Sequence, residues 1–430
     1  MMLLALLSLI FLQEGIGKHN TVLKTIRALQ AYEQSKVSRY INYPQYGTYG
    51  VRILFAPSPI EIFFFNSSSI SELTAAVDSG ERLKLYNSYK GRSIFTEKTG
   101  GFKDFSGIML LFGSAFALFM GHKAFLHKDY LRFMSGITGE RILFFTMVST
   151  RIFLITLFLG FTAFLSLVLL IINKIPITGL ELQYLGVYFG ILLLVWIFFF
   201  MIGASTSSFK SRVTGPIVLL AAWFTLIFIV PSLINSYIYS QAEKIESEIS
   251  MENSTFNMLM DAEKELNAKF GSIHPQNQNP QEVWDEIRKH LAKEIKQIQA
   301  MERSMEDEIQ NKTAFHQKLS IWIPSAFYLS TGNEISSKGY INYISFYRYV
   351  QELKFKFIPY IMEKGFQAKR IPVSANSKPR VESFFKDNED IFEADPVLPS
   401  CFWGGIGIII LYISLLTGLS YFRFQKSLRL

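Results

Sequence analysis

Five stretches of the chain, at residues 105–120, 146–172, 182–202, 217–238 and 402–422, are apolar and almost free of charge. They approach or exceed the roughly 20 residues that a helix needs to cross the hydrocarbon core of a bilayer. In lipid, backbone groups have no water to bond, so such stretches must be helical unless they form a closed barrel. Residues 1–12 are also apolar but shorter. They lack the basic leader of a secretory signal, and no small-residue cleavage site follows at residues 15–19. They are read as a first span whose cytoplasmic lead-in is missing from the chain, with a weak signal sequence as the alternative. The expected fold is an all-α membrane protein of about six transmembrane helices.

Composition agrees with two solvents for one polypeptide. Half of the residues are hydrophobic and only 18% are charged, against about 25% in soluble domains. Residues 241–310, by contrast, are dense in Glu and Lys. The formal net charge of +8 does not point to nucleic acid, because the basic residues are not gathered into one soluble motif. They flank apolar runs instead, where they mark the cytoplasmic side. Lys123, Lys128, Arg132 and Arg141 lie between the second and third spans, offset by Asp129 and Glu140; Lys210 and Arg212 lie between the fourth and fifth; Arg423, Lys426 and Arg429 follow the last. The loop near Asn173 has Lys174 alone. Six alternating spans put those three basic segments and both termini inside, and the Asn173 loop outside.

Two long segments then fall on the outer side. Residues 17–104 begin with a helical pattern (21–40) and turn extended at Val51, Arg52, Ile53, Leu54 and Phe55, ahead of Pro57 and Pro59, as short strands and turns do. This segment is expected to be mixed α/β. Residues 239–400 are expected to be helical. Ile287, Leu291, Ile295, Ile298, Met301, Met305 and Ile309 recur at steps of three or four, one stripe of a long amphipathic helix. Ile245, Ile249, Phe256, Leu259, Ala262 and Leu266 give a rougher stripe, and residues 271–280 supply a turn. A helical hairpin at residues 241–313 is the simplest account.

Catalytic motifs are missing. A phosphate-cradling loop reads GxxxxGK[ST], and no such pattern, HExxH, GxSxG or CxxC occurs. Cys401 is the single cysteine and the histidines are scattered, so neither a disulfide nor a metal set is suggested. No cofactor is expected. Ionisable residues inside the spans would mark an ion path, but Arg151, near the inner end of the third span, can snorkel to the interface. Asn235, near Pro231, reads as a structural polar residue.

The most informative element between spans is residues 126–137. Leu126, Tyr130, Phe133, Met134 and Ile137 fall on one helical face, with Lys123, Lys128, Asp129 and Arg132 on the other. This predicts a short amphipathic helix at the membrane surface, ended near Gly136 and Gly139.

Residues 128–141, followed by Thr150 and Arg151 opening a span, resemble the coupling segment of type 2 ATP-binding-cassette (ABC) exporter permeases. Tyr130, Leu131, Arg132, Phe133 and Met134 match the coupling helix, and Arg141 and Arg151 match its basic positions. His127 and Lys128 stand where that family has an acid, and Gly136 stands at a turn where it has proline. Phe102 to Gly107, Trp322 to Tyr328, Asn333 to Ile335 and Phe346 to Arg348 resemble the subfamily with large extracytoplasmic insertions. The resemblance implies the permease subunit of an exporter in a bacterial cytoplasmic (inner) membrane. It implies no enzymatic activity in this chain, two copies of a cytoplasmic ABC ATPase, and a second permease, identical or paralogous. Residues 1–16 would be the first span, 17–104 and 239–400 the extracytoplasmic parts, 105–238 spans two to five, and 401–430 the last span with its tail. Membrane lipid, and an outer protein bound by residues 239–400, complete the expected partners; the cargo is not encoded in any recognisable pattern. The alternative is a membrane-anchored assembly or sensor protein whose outer helices bind another protein.

Overall fold

The computed structural model describes residues 2–40, 42–65, 73–78, 84–87, 104–125, 128–207, 214–242, 264, 265, 268, 280–370, 381–385 and 390–429. The chain opens on helix α1 (Met2–Val37), which runs unbroken across the boundary at residues 16–17 drawn from the sequence. At 1.5 Å per residue its 36 residues are about 54 Å long, far more than a bilayer core requires. The apolar start and the helical pattern at residues 21–40 are therefore one rod. Gly15 lies inside it because a Cβ there would fall on the backbone carbonyl of Ile62.

Among the described residues, five helical segments are long and apolar enough to cross a membrane. They are α3 (Phe105–His122, with a 3-10 turn to Phe125), α5 (Glu140–Ile172), α6 (Gly179–Thr206), the pair α7 (Thr214–Phe224) and α8 (Val230–Ala242), and α12 (Phe402–Arg429). Their starts follow local chemistry. Asp104 caps α3 by accepting from the Gly107 N–H at 2.7 Å. Thr178 and Glu181 form a capping box on α6, with the Thr178 N–H donating to Glu181 Oε2 at 2.7 Å and the Glu181 N–H to Thr178 Oγ1 at 3.2 Å, so two orphan donors are satisfied reciprocally.

The closest seam in the bundle is α3 against α6. A Cβ on Gly121 would meet the Phe200 carbonyl, and one on Gly203 the Leu118 carbonyl. Glycine is required there for the backbones to touch, as at small-residue interfaces of membrane helices. Trp196, wholly buried, reaches across the same seam and donates from Nε1 to the Met109 carbonyl at 3.1 Å. Gly203→Ala is expected to force this seam open and to cost about 1–3 kcal/mol. The check is the thermal midpoint of the purified chain.

A second core forms around a small sheet. Strand β1 (Val51–Ala56) pairs antiparallel with β2 (Leu73–Val77), Val51 opposite Val77, and β2 pairs antiparallel with β3 (Lys84–Asn87). On its other edge β1 pairs parallel with β4 (Ile391–Glu393), Phe55 opposite Phe392, giving the order β3-β2-β1-β4. The segment expected to be helical thus donates a strand to the first segment's sheet. Parts of residues 17–104 and 239–400 therefore share one folded unit. Val51, Ile53, Phe55, Ala75 and Val77 pack against helix α2 (Tyr43–Tyr49) and helix α11 (Tyr340–Arg370) through Tyr46, Phe346, Val350 and Phe357. Burial pushes the Tyr46 hydroxyl up to about 12.

The long amphipathic helix is present as α9 (Pro280–Ser320). Asp285, Lys289, Lys293, Lys296, Arg303 and Asp307 on it are exposed, the solvated face anticipated. The side chains of the apolar stripe from Ile287 to Ile309, and the other arm of the expected hairpin with Ile245 to Leu266, lie outside the described residues.

Two short elements join unit and bundle. The 3-10 turn Pro59–Phe64 inserts between α1, α3 and α6, its Phe63 ring against Phe105 (5.0 Å) and Phe189 (6.1 Å). Helix α10 (Pro324–Ile335) is buried against α6, α12 and the α7–α8 segment. Both enter the end of the bundle where α3 and α6 begin. At the opposite end lie helix α4 (Lys128–Thr138) and the C-terminal turns of α12.

Candidate functional site

Helix α4 lies between two spans and ends at Thr138, where Gly139 adopts a positive φ of 83° that favours glycine and turns the chain into α5. Its apolar residues divide into two sets. Leu131 is buried and Met134 is half-buried against the bundle core. Tyr130, Phe133 and Ile137, at steps of three and four, are 60%, 68% and 65% exposed. The expected single apolar face is therefore split: one edge holds the helix to the bundle, and the other presents three large side chains outward. Leu126 and His127 lie outside the described residues.

A cluster of rings beneath α4 makes its footing rigid. Phe125, Phe144 and Phe424 meet with centroids 5.0–5.6 Å apart, and Tyr421 stands 5.2 Å from Phe144. Arg132, on the outer side of α4, donates from Nε to the Leu428 carbonyl at 3.2 Å and so ties α4 to the last turn of α12. Glu140 accepts from Gln425 Nε2 at 3.2 Å, and Arg423 donates to the Ser205 carbonyl at 2.7 Å. Helix α12 is thereby bonded to α4, α5 and the end of α6.

The remaining two sequence candidates separate in role. Arg141 is exposed on the first turn of α5. Arg151 is half-buried and donates from Nη1 to the Met147 carbonyl at 3.2 Å and from Nη2 to the Ala124 carbonyl at 3.3 Å. Rather than reaching away to water, its guanidinium bonds the turn that delivers the chain from α3 to α4. Arg151 positions the surface; Tyr130, Phe133, Ile137 and Arg141 compose it.

At the other end of the bundle is a group that sequence reasoning missed. Glu61, wholly buried in the inserted Pro59–Phe64 turn, lies 3.2 Å from His19 Nδ1 of α1 and 3.4 Å from Lys338 Nζ. His19 is 1% exposed, and the Lys338 side chain is sealed as completely as that of Glu61. Lys338 also donates to the Phe64 and Phe65 carbonyls at 3.3 and 3.0 Å. It sits in the tight connection from α10 to α11, where Ser337 has φ 63° and buried Glu334 accepts from Gln317 Nε2 at 3.1 Å. The available signal was Glu61 itself, a lone carboxylate among Ile60, Ile62, Phe63, Phe64 and Phe65. A charge is rarely buried unless it is paired. Nearby, Ser58 donates to Glu181 Oε1 at 3.1 Å, joining the same turn to the α6 capping box.

Among the described residues no group of three His, Cys, Asp or Glu side chains could hold a metal ion. Comparison with protein-family models, with curated proteins and with solved structures gives no significant match. The described residues thus place an outward aromatic surface on a braced helix at one end of the bundle and a buried ionic cluster at the other.

Proposed function

We propose that the chain is the permease subunit of an ATP-driven exporter, with ATP hydrolysis carried out by a separate cytoplasmic ATPase. The observation that supports this most is α4: a short helix between two spans, anchored by Leu131 and Met134, with Tyr130, Phe133 and Ile137 facing out. A surface rich in aromatic side chains and rimmed by Arg132 and Arg141 suits docking into an apolar cleft with a polar rim. Arg132 bonds α4 to α12, and Arg151 and Glu140 bond α5 to the turn after α3 and to α12, so a displacement of α4 would pass to three spans. Packed helices of this kind switch between discrete arrangements rather than deforming smoothly.

In this reading α4 and both termini are cytoplasmic, the sheet unit is extracytoplasmic, and two permeases meet two ATPases in a bacterial inner membrane. The lean supply of ionisable side chains in the spans supports an external energy source over ion coupling. The test uses Ile137→Cys in a Cys401→Ser background, so that α4 carries the single thiol. Labelling in inverted vesicles but not in intact cells, with protection once the ATPase is bound, is the expected result. Labelling from outside intact cells, or no protection by any bound ATPase, refutes the proposal.

A further inference from the structure

The segment α7–α8 changes register in its middle. Thr225–Ile229 forms a π-helical turn, and the Val230 N–H bonds to the Thr225 carbonyl, five residues back. The next bond in that register would run from residue 231 to the Leu226 carbonyl. Residue 231 is Pro231, which has no N–H to give. Leu226 is thus deprived of its backbone donor inside an apolar helix, where an unsatisfied carbonyl is costly.

The missing donor comes from another element. Ser325, 1% exposed in the first turn of α10, donates its hydroxyl to the Leu226 carbonyl. Helix α10 is itself fastened to the bundle: Ser106 Oγ donates to the Tyr328 hydroxyl at 2.9 Å, and Tyr328 donates to the Tyr188 hydroxyl at 2.8 Å. Its C-terminal end leads into the Lys338 connection and so into the sheet unit. Isolated π turns and prolines are the places where helices bend.

We infer that the π turn, Pro231 and Ser325 form one hinge lock, in which α10 holds the span at this turn and its displacement frees the span to change angle. The lock links the sheet unit to a span without passing through α4. It stands whether or not the chain serves an ATPase.

The lock makes a specific demand: Ser325 matters only because residue 231 cannot donate. The full chain, in a Cys401→Ser background, is spin-labelled at Val218 and Leu233, which flank the turn and are 44% and 62% exposed. Ser325→Ala is expected to broaden the distance distribution and to lower the thermal midpoint by a few degrees. Ser325→Thr, which keeps a hydroxyl, should do neither. In a Pro231→Ala background the restored N–H supplies Leu226, so adding Ser325→Ala should leave both measurements unchanged. Equal effects of Ser325→Ala in both backgrounds, or none in either, overturn the lock. If Ser325→Ala alone yields no folded protein, the double variant must restore folding, and its failure also overturns the inference.

Discussion

Lys338→Met is expected to destabilise the protein by about 3–5 kcal/mol, the range for removing one partner of a buried ion pair. The loss is not the strength of the contact itself. It arises because Glu61 remains buried in the Pro59–Phe64 turn with its charge no longer balanced by an ammonium, and because the Phe64 and Phe65 carbonyls lose their donor. Removing both charges should behave differently. Lys338→Met with Glu61→Leu replaces a desolvated pair by apolar volume, and such exchanges are often neutral or better. Thermal unfolding of the two variants beside wild type checks this. A double variant no more stable than Lys338→Met would show that Glu61 is not the origin of the loss.

Phe133→Asp is the counterpart at the other end. It should abolish association with the ATPase while leaving insertion and thermal stability near wild type. The side chain is 68% exposed, so the folded chain alone loses little, whereas a carboxylate forced into a docked apolar interface would be desolvated without a partner. Met134→Asp makes the contrast. Met134 packs against the bundle core, so an acid there should lower stability whatever docks on α4. Wild-type association by Phe133→Asp would remove the assigned role of the surface.

The five long apolar helices and β1 were legible because each depends on a local pattern. Runs without charge force helices in lipid, and Val51 to Phe55 ahead of Pro57 and Pro59 can hardly be anything but extended. Helix α4 was legible in position but not in division of labour. Periodicity groups Tyr130, Phe133, Met134 and Ile137, but only the location of Phe125, Phe144 and Phe424 decides which edge docks on the bundle. The continuity of α1 was obscured by Gly15, Gly17, Lys18 and His19, which read as the end of a span. Of these, Gly15 allows close packing on Ile62 and His19 pairs with Glu61. The joining of residues 51–87 and 391–393 in one sheet was invisible for a related reason. β4 adds only three residues to a sheet begun some 340 positions earlier, and pairings over such separations leave no local period. The same applies to Lys338, whose meaning depends entirely on Glu61.

The proposed function requires a separate ATPase bound to this chain. The most direct measurement is affinity purification of the full-length chain from its native membranes in mild detergent. ATP hydrolysis and the amount of any co-purifying subunit with a phosphate-binding loop are then quantified together. One such subunit per chain, with hydrolysis that disappears when it is stripped away and returns when it is added back, is the expected result. A chain that purifies without any such subunit, or that still hydrolyses ATP after stripping, would contradict it.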